Sequence, residues 1–402
     1  MHPSVEHTDV SASLVERRWM VTPDLMLESH DDRHVVIIHT ATGTRLKVST
    51  GVYNLLARFE KPQTVKEALG TLEDPRLRSG LHVLMERGLL VDPDHVPTVV
   101  KPTRKPSPYR FCSVPAYGTA SVDVEFTVIG VPYDLGGQVP CREGPLRLRE
   151  KSLDYTYLVD FDSRHPRGWF DADSGDRILE GARMVDAADL LVEYGETQTE
   201  LFRRLRTVLG EIVGTRSVPL ILGGDRSIAF PVVQYLAQRR SLSLVQLVPE
   251  STRHASRGDM VTTQDVGIRT GALQNVVGTL SMGSREHVDV FPSQPGHVEI
   301  SLDDLRAVGL NAALQSWTKE GDVFLSVDMS VLDVSIPSRG KGLSMQEVRQ
   351  ILLLIGRRHR IVGVGIFGLD SSGREGELRV ICGCHIALLA MDAAMHSGRA
   401  SP

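Results

Sequence analysis

Cysteine is scarce in this chain: four residues in 402, Cys112, Cys141, Cys382 and Cys384. That is too few for a disulfide framework, and it fits a reducing, cytoplasmic compartment. Positive charge is not in excess either, with 45 Lys plus Arg against 50 Asp plus Glu and a net charge of −5. A general nucleic-acid binder needs clustered cations, so that class is excluded. No run approaches the roughly 20 apolar residues of a spanning helix. The opening "MHPSVEHTDVSASLVERRWM" also lacks the basic-then-apolar layout of a signal peptide, so no membrane attachment is expected. G-x-S-x-G, P-loop and Rossmann fingerprints are missing. "CGCH" (Cys382 to His385) has no second ligand pair at zinc spacing and runs into the apolar "IALLAMDAAM", so its thiols read as core residues.

What is there is globular: 41% apolar and 24% charged residues, in a length that suggests two domains. After an N-terminal tail (1–20), residues 21–92 form a self-contained pattern. "RHVVIIHTATGTRLKVS" holds two β-rich runs around Thr42-Gly43, a hairpin signal. Val52, Leu55, Leu56 and Phe59 share one helical face, Thr64 and Glu67 stand at capping-box spacing, and "LRSGLHVLMERGLLVD" supplies a third helix and a closing strand. The order is that of a winged-helix-like module. Six prolines between Asp92 and Tyr117 then predict a semi-extended linker, placed at 93–119.

From 120 to 398, strand-like runs alternate with amphipathic helices, the mark of a parallel α/β sheet. "EFTVIGVPYD", "VPLILGGD", "LSLVQLVP", "DVFLSVDM" and "IVGVGIFGLD" are the runs. "ELFRRLRTVLGEIV" is a covering helix, and Ser344 with Glu347 caps another. Ligands of such sheets bind beyond the carboxyl ends of the strands. There the chain reads "GVPYDLGGQVPCREGPLRLRE", "LILGGDRS" and "VFLSVDMSVLDVSIPSRGKGLS".

These segments resemble the ureohydrolase family, the arginases and agmatinases, which write them G-V-P-F-D-x-G with a G-P-x-x-I-R tail, G-G-D-H-S, and S-x-D-x-D-x-x-D-P. The resemblance implies a three-layer α/β/α fold and, in active members, two manganese ions that make hydroxide to attack a guanidinium carbon. Here the ligand positions depart from the pattern. Arg226 replaces the G-G-D-H-S histidine, and arginine cannot deprotonate to ligate a metal. The D-A-H-x-D motif corresponds to Val248 through Thr252, with Val248, Glu250 and Thr252 at its ligand positions. Asp328 is retained, Ser330 replaces the second aspartate of S-x-D-x-D, and Asp333 matches the structural aspartate before the family's proline. Near the last strand end Gly368 reads as a turn residue, unless Asp370 substitutes for the family's substrate-binding glutamate. His254 and Asp259 are candidate relocated ligands, with a solvated loop as the alternative.

Two accounts of Arg226 follow. It pairs structurally with Asp328, and with Glu250 as second partner, or it is a recognition or catalytic cation. The structural account predicts hydrogen-bond reach to Asp328 and no metal or other cofactor.

The N-terminal module resembles the PqqD-like peptide-recognition domains that bind leader peptides of ribosomally made, modified peptides. "LKVSTGVYNLLARFEKPQTVKEAL" and "LHVLMERGLLV" carry the likeness. It implies strand addition at an edge within Arg33 to Val48, next to the last helix, with Val35, Val36, Ile37, Ile38, Leu81, Leu84 and Met85 as candidate contacts. A DNA-binding winged helix is the alternative. Residues 21–95 carry 9 Arg plus Lys against 11 Asp plus Glu, a balance of 9 − 11 = −2 that disfavours phosphate.

The expectation is an arginase-like pseudoenzyme that recognises a precursor or leader peptide and works beside modifying enzymes. Its family resemblance implies a homo-oligomer. The alternative is an active arginine-to-ornithine peptide arginase with an unusual metal site.

Overall fold

The computed structural model describes residues 17–22, 25–39, 44–70, 75–93, 103–118, 123–137, 139–213, 217–250, 260–264, 266–270, 273–280, 297–314, 322–335 and 342–397. The chain divides into two compact units, Met1–Pro102 and Thr103–Pro402.

In the first unit β2 (Leu25–His30), β3 (His34–His39) and β4 (Thr44–Ser49) form an antiparallel sheet in that order. The sequence pattern foresaw the β3–β4 pair but not β2, whose exposed face lacks the alternation that marks a half-buried strand. The Thr42-Gly43 turn lies outside the described residues. Helices Thr50–Ala57, Val65–Leu69 and Pro75–Glu86 follow, and Thr64 and Glu67 make the anticipated capping box. A second small sheet joins β1 (Arg18–Val21) to β5 (Gln63–Thr64) and β6 (Leu90–Val91).

This arrangement corrects the proposed peptide contacts. Residues Val35 to Ile38 lie on the central strand, paired on both sides, so their backbone offers no edge. Val35, Ile37, Leu81 and Leu84 are buried in the unit's own core, Val36 and Ile38 are half-buried, and Met85 packs against that core. The resemblance pointed to these residues; packing within the unit takes up Val35, Ile37, Leu81 and Leu84.

The second unit is built on a nine-stranded sheet of order β15-β14-β13-β16-β17-β12-β8-β11-β7. Its strands are β7 (Arg104–Lys105), β8 (Phe126–Val131), β11 (Met184–Leu190), β12 (Val218–Gly223), β13 (Leu242–Glu250), β14 (Leu273–Leu280), β15 (His297–Ser301), β16 (Asp322–Asp328) and β17 (Arg360–Phe367). All pairings are parallel except that of β7 with β11. A separate hairpin joins β9 (Trp169–Asp171) and β10 (Asp176–Ile178).

Apolar cores lie on both faces of the sheet. One takes in Leu148, Val348, Ile351, Val380 and Ala387 from helices Gly144–Lys151, Met345–Arg358 and Gly376–His396. The other takes in Leu201, Leu205, Val208, Leu209, Val232 and Leu236 from helices Gln198–Ile212 and Ala229–Ala237. The five runs singled out from sequence are β8, β12, β13, β16 and β17, and Ser344 with Glu347 forms the predicted box.

Two expectations change. The Pro-rich stretch is not linker throughout: β7 pairs with β11, and Phe111, Cys112 and Val114 are fully buried. Proline stops helix here without stopping burial of the apolar residues between. Helix Gly376–His396 is long and apolar enough to cross a membrane by composition, but 61% of its apolar window is buried, as suits a core helix.

Candidate functional site

The carboxyl ends of β13, β16, β17, β12 and β8 stand side by side in the sheet, and the singled-out motifs meet there. β12 ends at Gly223, and the chain turns into a short 3-10 turn, Arg226–Ile228, capped by Asp225. Oδ1 of Asp225 accepts bonds from Ser227 N at 2.8 Å and Ser227 Oγ at 2.5 Å. Its Oδ2 accepts from Gly136 N, at 2.7 Å, in the loop after β8. Burial pushes the Asp225 carboxyl up to about 6, against the opposing pull of these donors.

Arg226 is buried at 2% exposure. Its Nη2 donates to the carbonyl oxygen of Thr263 at 2.5 Å, and its Nε lies 3.9 Å from Oδ2 of Asp328. The guanidinium therefore meets Asp328 as an ion pair, beyond the hydrogen-bond length anticipated for it. Ser330 takes the hydrogen-bonding role: its backbone N donates to Asp328 Oδ1 at 3.0 Å and its hydroxyl donates to the same oxygen.

Val248 is fully buried, and the pairing of Leu247 with Val327 sets it beside Asp328. Glu250 closes β13, but its side chain, and all of Thr252, His254 and Asp259, lie outside the described residues. Gly368 has φ +65, and a Cβ there would lie 2.3 Å from Asp328 Oδ1, so the turn reading of this glycine holds. The Asp370 carboxylate accepts a bond from Ser372 N at 2.8 Å and lies 4.0 Å from Arg379 Nη2, a structural use at its own turn. Asp333 likewise bonds locally, to Val334 N at 2.7 Å.

A two-manganese cluster does not fit what the described residues offer. A guanidinium stands near Asp328, Val248 has no donor atom, and the Ser330 hydroxyl is committed to Asp328. Among the described residues no three or more His, Cys, Asp or Glu side chains gather as a metal site.

A second buried arginine lies in the same unit. Arg149, the last residue of the G-P-L-R-L-R tail, is fully buried on helix Gly144–Lys151. Its Nε and Nη2 donate to the two oxygens of Asp186 at 2.8 and 3.0 Å, Nη1 to Asp189 at 2.5 Å, and Nη2 also to the Ala188 carbonyl at 3.0 Å. This bidentate clamp ties the first helix to the end of β11.

Sequence reasoning missed several residues at the strand ends. Cys141 is buried there, and burial together with the field of Asp225, Asp328, Asp134 and Asp370 holds its thiol far above the usual range. Thr263 and Gln198 bind across the mouth, yet neither stands in a motif. Only the paired glycines Gly136-Gly137, a site of close backbone approach, could have pointed to them.

The arginase family model matches residues 124–391. The agmatinase of Pyrococcus horikoshii is 25% identical over 260 residues, covering 62% of this chain and 85% of that protein. The guanidinopropionase of Pseudomonas aeruginosa is 25% identical over 279 residues, covering 66% and 81%. Among solved structures, proclavaminate amidino hydrolase from Streptomyces clavuligerus superposes with a TM-score of 0.57 at 19% identity, covering 72% of this chain and 97% of that one. Formimidoylglutamase from Bacillus subtilis gives a TM-score of 0.57 at 16% identity, covering 71% and 92%. These similarities show the fold.

Proposed function

Because the chain belongs to the arginase family and yet closes its strand ends over Arg226, we propose that it is a pseudoenzyme of that fold. Its role would be to hold a precursor or leader peptide for modifying enzymes in the biosynthesis of ribosomally made peptides. The observation that carries this is the Arg226–Asp328–Ser330 cluster, in which a side-chain cation and a hydroxyl surround the carboxylate that the motif resemblance aligns with a metal ligand of the family. A hydrolytic water needs two cations and several deprotonated ligands to become hydroxide near neutral pH. Arg226 lends charge to Asp328 but opens no coordination position for water.

The N-terminal unit is the proposed peptide holder, and β4 the edge to which the peptide adds. The outer strand at the opposite edge, β2, carries an irregularity between Leu27 and Ser29, a feature that blunts an edge against pairing. The pairing of β4 with β3 is regular from Thr44 to Ser49, leaving an even outer ladder. A reducing, cytoplasmic setting suits its four free cysteines.

Metal analysis of the purified chain, combined with mass spectrometry of an arginine-containing precursor after incubation, tests the reading. Substoichiometric metal and an unchanged precursor mass are expected. Stoichiometric manganese, or loss of CH2N2 from arginine, would establish the rival, a peptide arginase. Capture of the precursor by the full chain, lost when β4 is disrupted, tests the holding role separately.

A further inference from the structure

Residues Met260 to Gln264 lie over the strand ends as a strap. Val261 is clamped from both sides by one amide side chain: its N–H donates to Gln198 Oε1 at 2.7 Å, and its carbonyl accepts from Gln198 Nε2 at 2.9 Å. The Val261 side chain is buried in the same cluster as Ile129, Tyr133 and Phe367. Two residues on, Thr263 N donates to Gly136 O at 2.9 Å and Thr263 O accepts from Arg226. The strap can lie this close because the loop beneath it has glycine at 136 and 137. A Cβ at Gly136 would stand 2.9 Å from Val261 O, and one at Gly137 3.1 Å from Thr263 Cγ2.

Strap backbone, turning at Thr263 and Gln264, thus lies over the site, and a neutral backbone carbonyl sits on the guanidinium. We propose that the strap is an internal stand-in for a ligand, and that the site it covers takes a short segment of polypeptide whose carbonyl replaces that of Thr263. This deepens the peptide-holding reading and rests on it. The ligand group is a neutral carbonyl because Asp328 already opposes the charge of Arg226, and Asp134 and Asp225 add negative field at the mouth. An incoming carboxylate meets that field and is disfavoured. The exchange is one backbone segment for another, so a modest difference in affinity decides it.

The test uses the full chain, its Gln198→Leu and Gln198→Glu variants, and a labelled tripeptide of the strap residues that follow the Gln198-clamped Val261, Thr-Thr-Gln, acetylated and amidated. Hydrogen exchange over 260–264 should accelerate by about tenfold or more in Gln198→Leu, and less in Gln198→Glu, while the amides of β12 and β16 keep their protection. The tripeptide, which lacks the Val261 that Gln198 clamps, should bind Gln198→Leu more tightly than the unaltered chain. It should lose that binding in the Gln198→Leu/Arg226→Met double variant, and a version with Asp in place of its second Thr should bind no better. Unchanged exchange at 260–264, or binding indifferent to Arg226, would overturn the proposal. None of these outcomes depends on leader-peptide capture by the N-terminal unit, so the two readings fail separately.

Discussion

Arg149 and Arg226 are both buried guanidiniums near strand ends of one sheet, and they are held in opposite ways. Arg149 has two carboxylates and a carbonyl within 3.0 Å, with both oxygens of Asp186 engaged. Arg226 has a carbonyl at 2.5 Å and its carboxylate at 3.9 Å, while the hydrogen bonds of Asp328 go to Ser330. The first is a structural clamp built around a cation. The second is a cation at ion-pair distance from Asp328, bonded to a loop carbonyl that another carbonyl could replace.

Breaking the clamp should have the largest effect. Arg149→Met leaves Asp186 and Asp189 buried without their cation, and should cost about 3–5 kcal/mol in urea unfolding. Arg226→Met should cost only about 1–2 kcal/mol, because Asp328 keeps both Ser330 donors. Equal costs for the two would erase the distinction.

The carboxylate next to Arg226 sharpens the comparison through pH. Asp225 titrates near 6 in the fold against 3.8 for the free side chain. The folded state therefore binds the proton more tightly, and its stabilising contribution, complete below about 3.8, is lost as pH rises through about 6. Unfolding measured between those values should show a component falling by about 1.4 kcal/mol per pH unit. Asp225→Asn should abolish that component while lowering overall stability, since its amide would face a backbone donor.

The smallest effect belongs to Ala188, in the Asp186–Asp189 segment, which sits at φ +65 with its carbonyl on Arg149. Ala188→Gly relieves a left-handed conformation and should raise the unfolding free energy by up to about 1 kcal/mol. A loss instead would mean that backbone strain is not part of the clamp.

Much of this was legible beforehand. β8, β12, β13, β16 and β17 each read as short apolar runs, because strands buried on both faces carry near-continuous Val, Ile and Leu. β14 and the functional part of the loop before it were not, since Thr263 acts through its backbone carbonyl, which any residue supplies. Linker and core were confused around Phe111 because proline density reports the lack of helix and says nothing of burial. Val35 to Ile38 were proposed as contacts at a sheet edge, whereas their strand is central and Val35 and Ile37 pack in the unit's own core: an apolar strand looks the same whether its neighbour is a ligand or its own fold.

The sequence by itself determined the family resemblance, the order of β8, β12, β13, β16 and β17 along the chain and the presence of Arg226, Val248 and Ser330 near their ends, since these rest on residue type and local spacing. Only the tertiary structure decided that Asp328 is bonded by Ser330 rather than by Arg226, and that a strap pinned by Gln198 covers them both. Bond length and cover depend on how loops from separate strands meet, and no local pattern in a chain encodes that meeting.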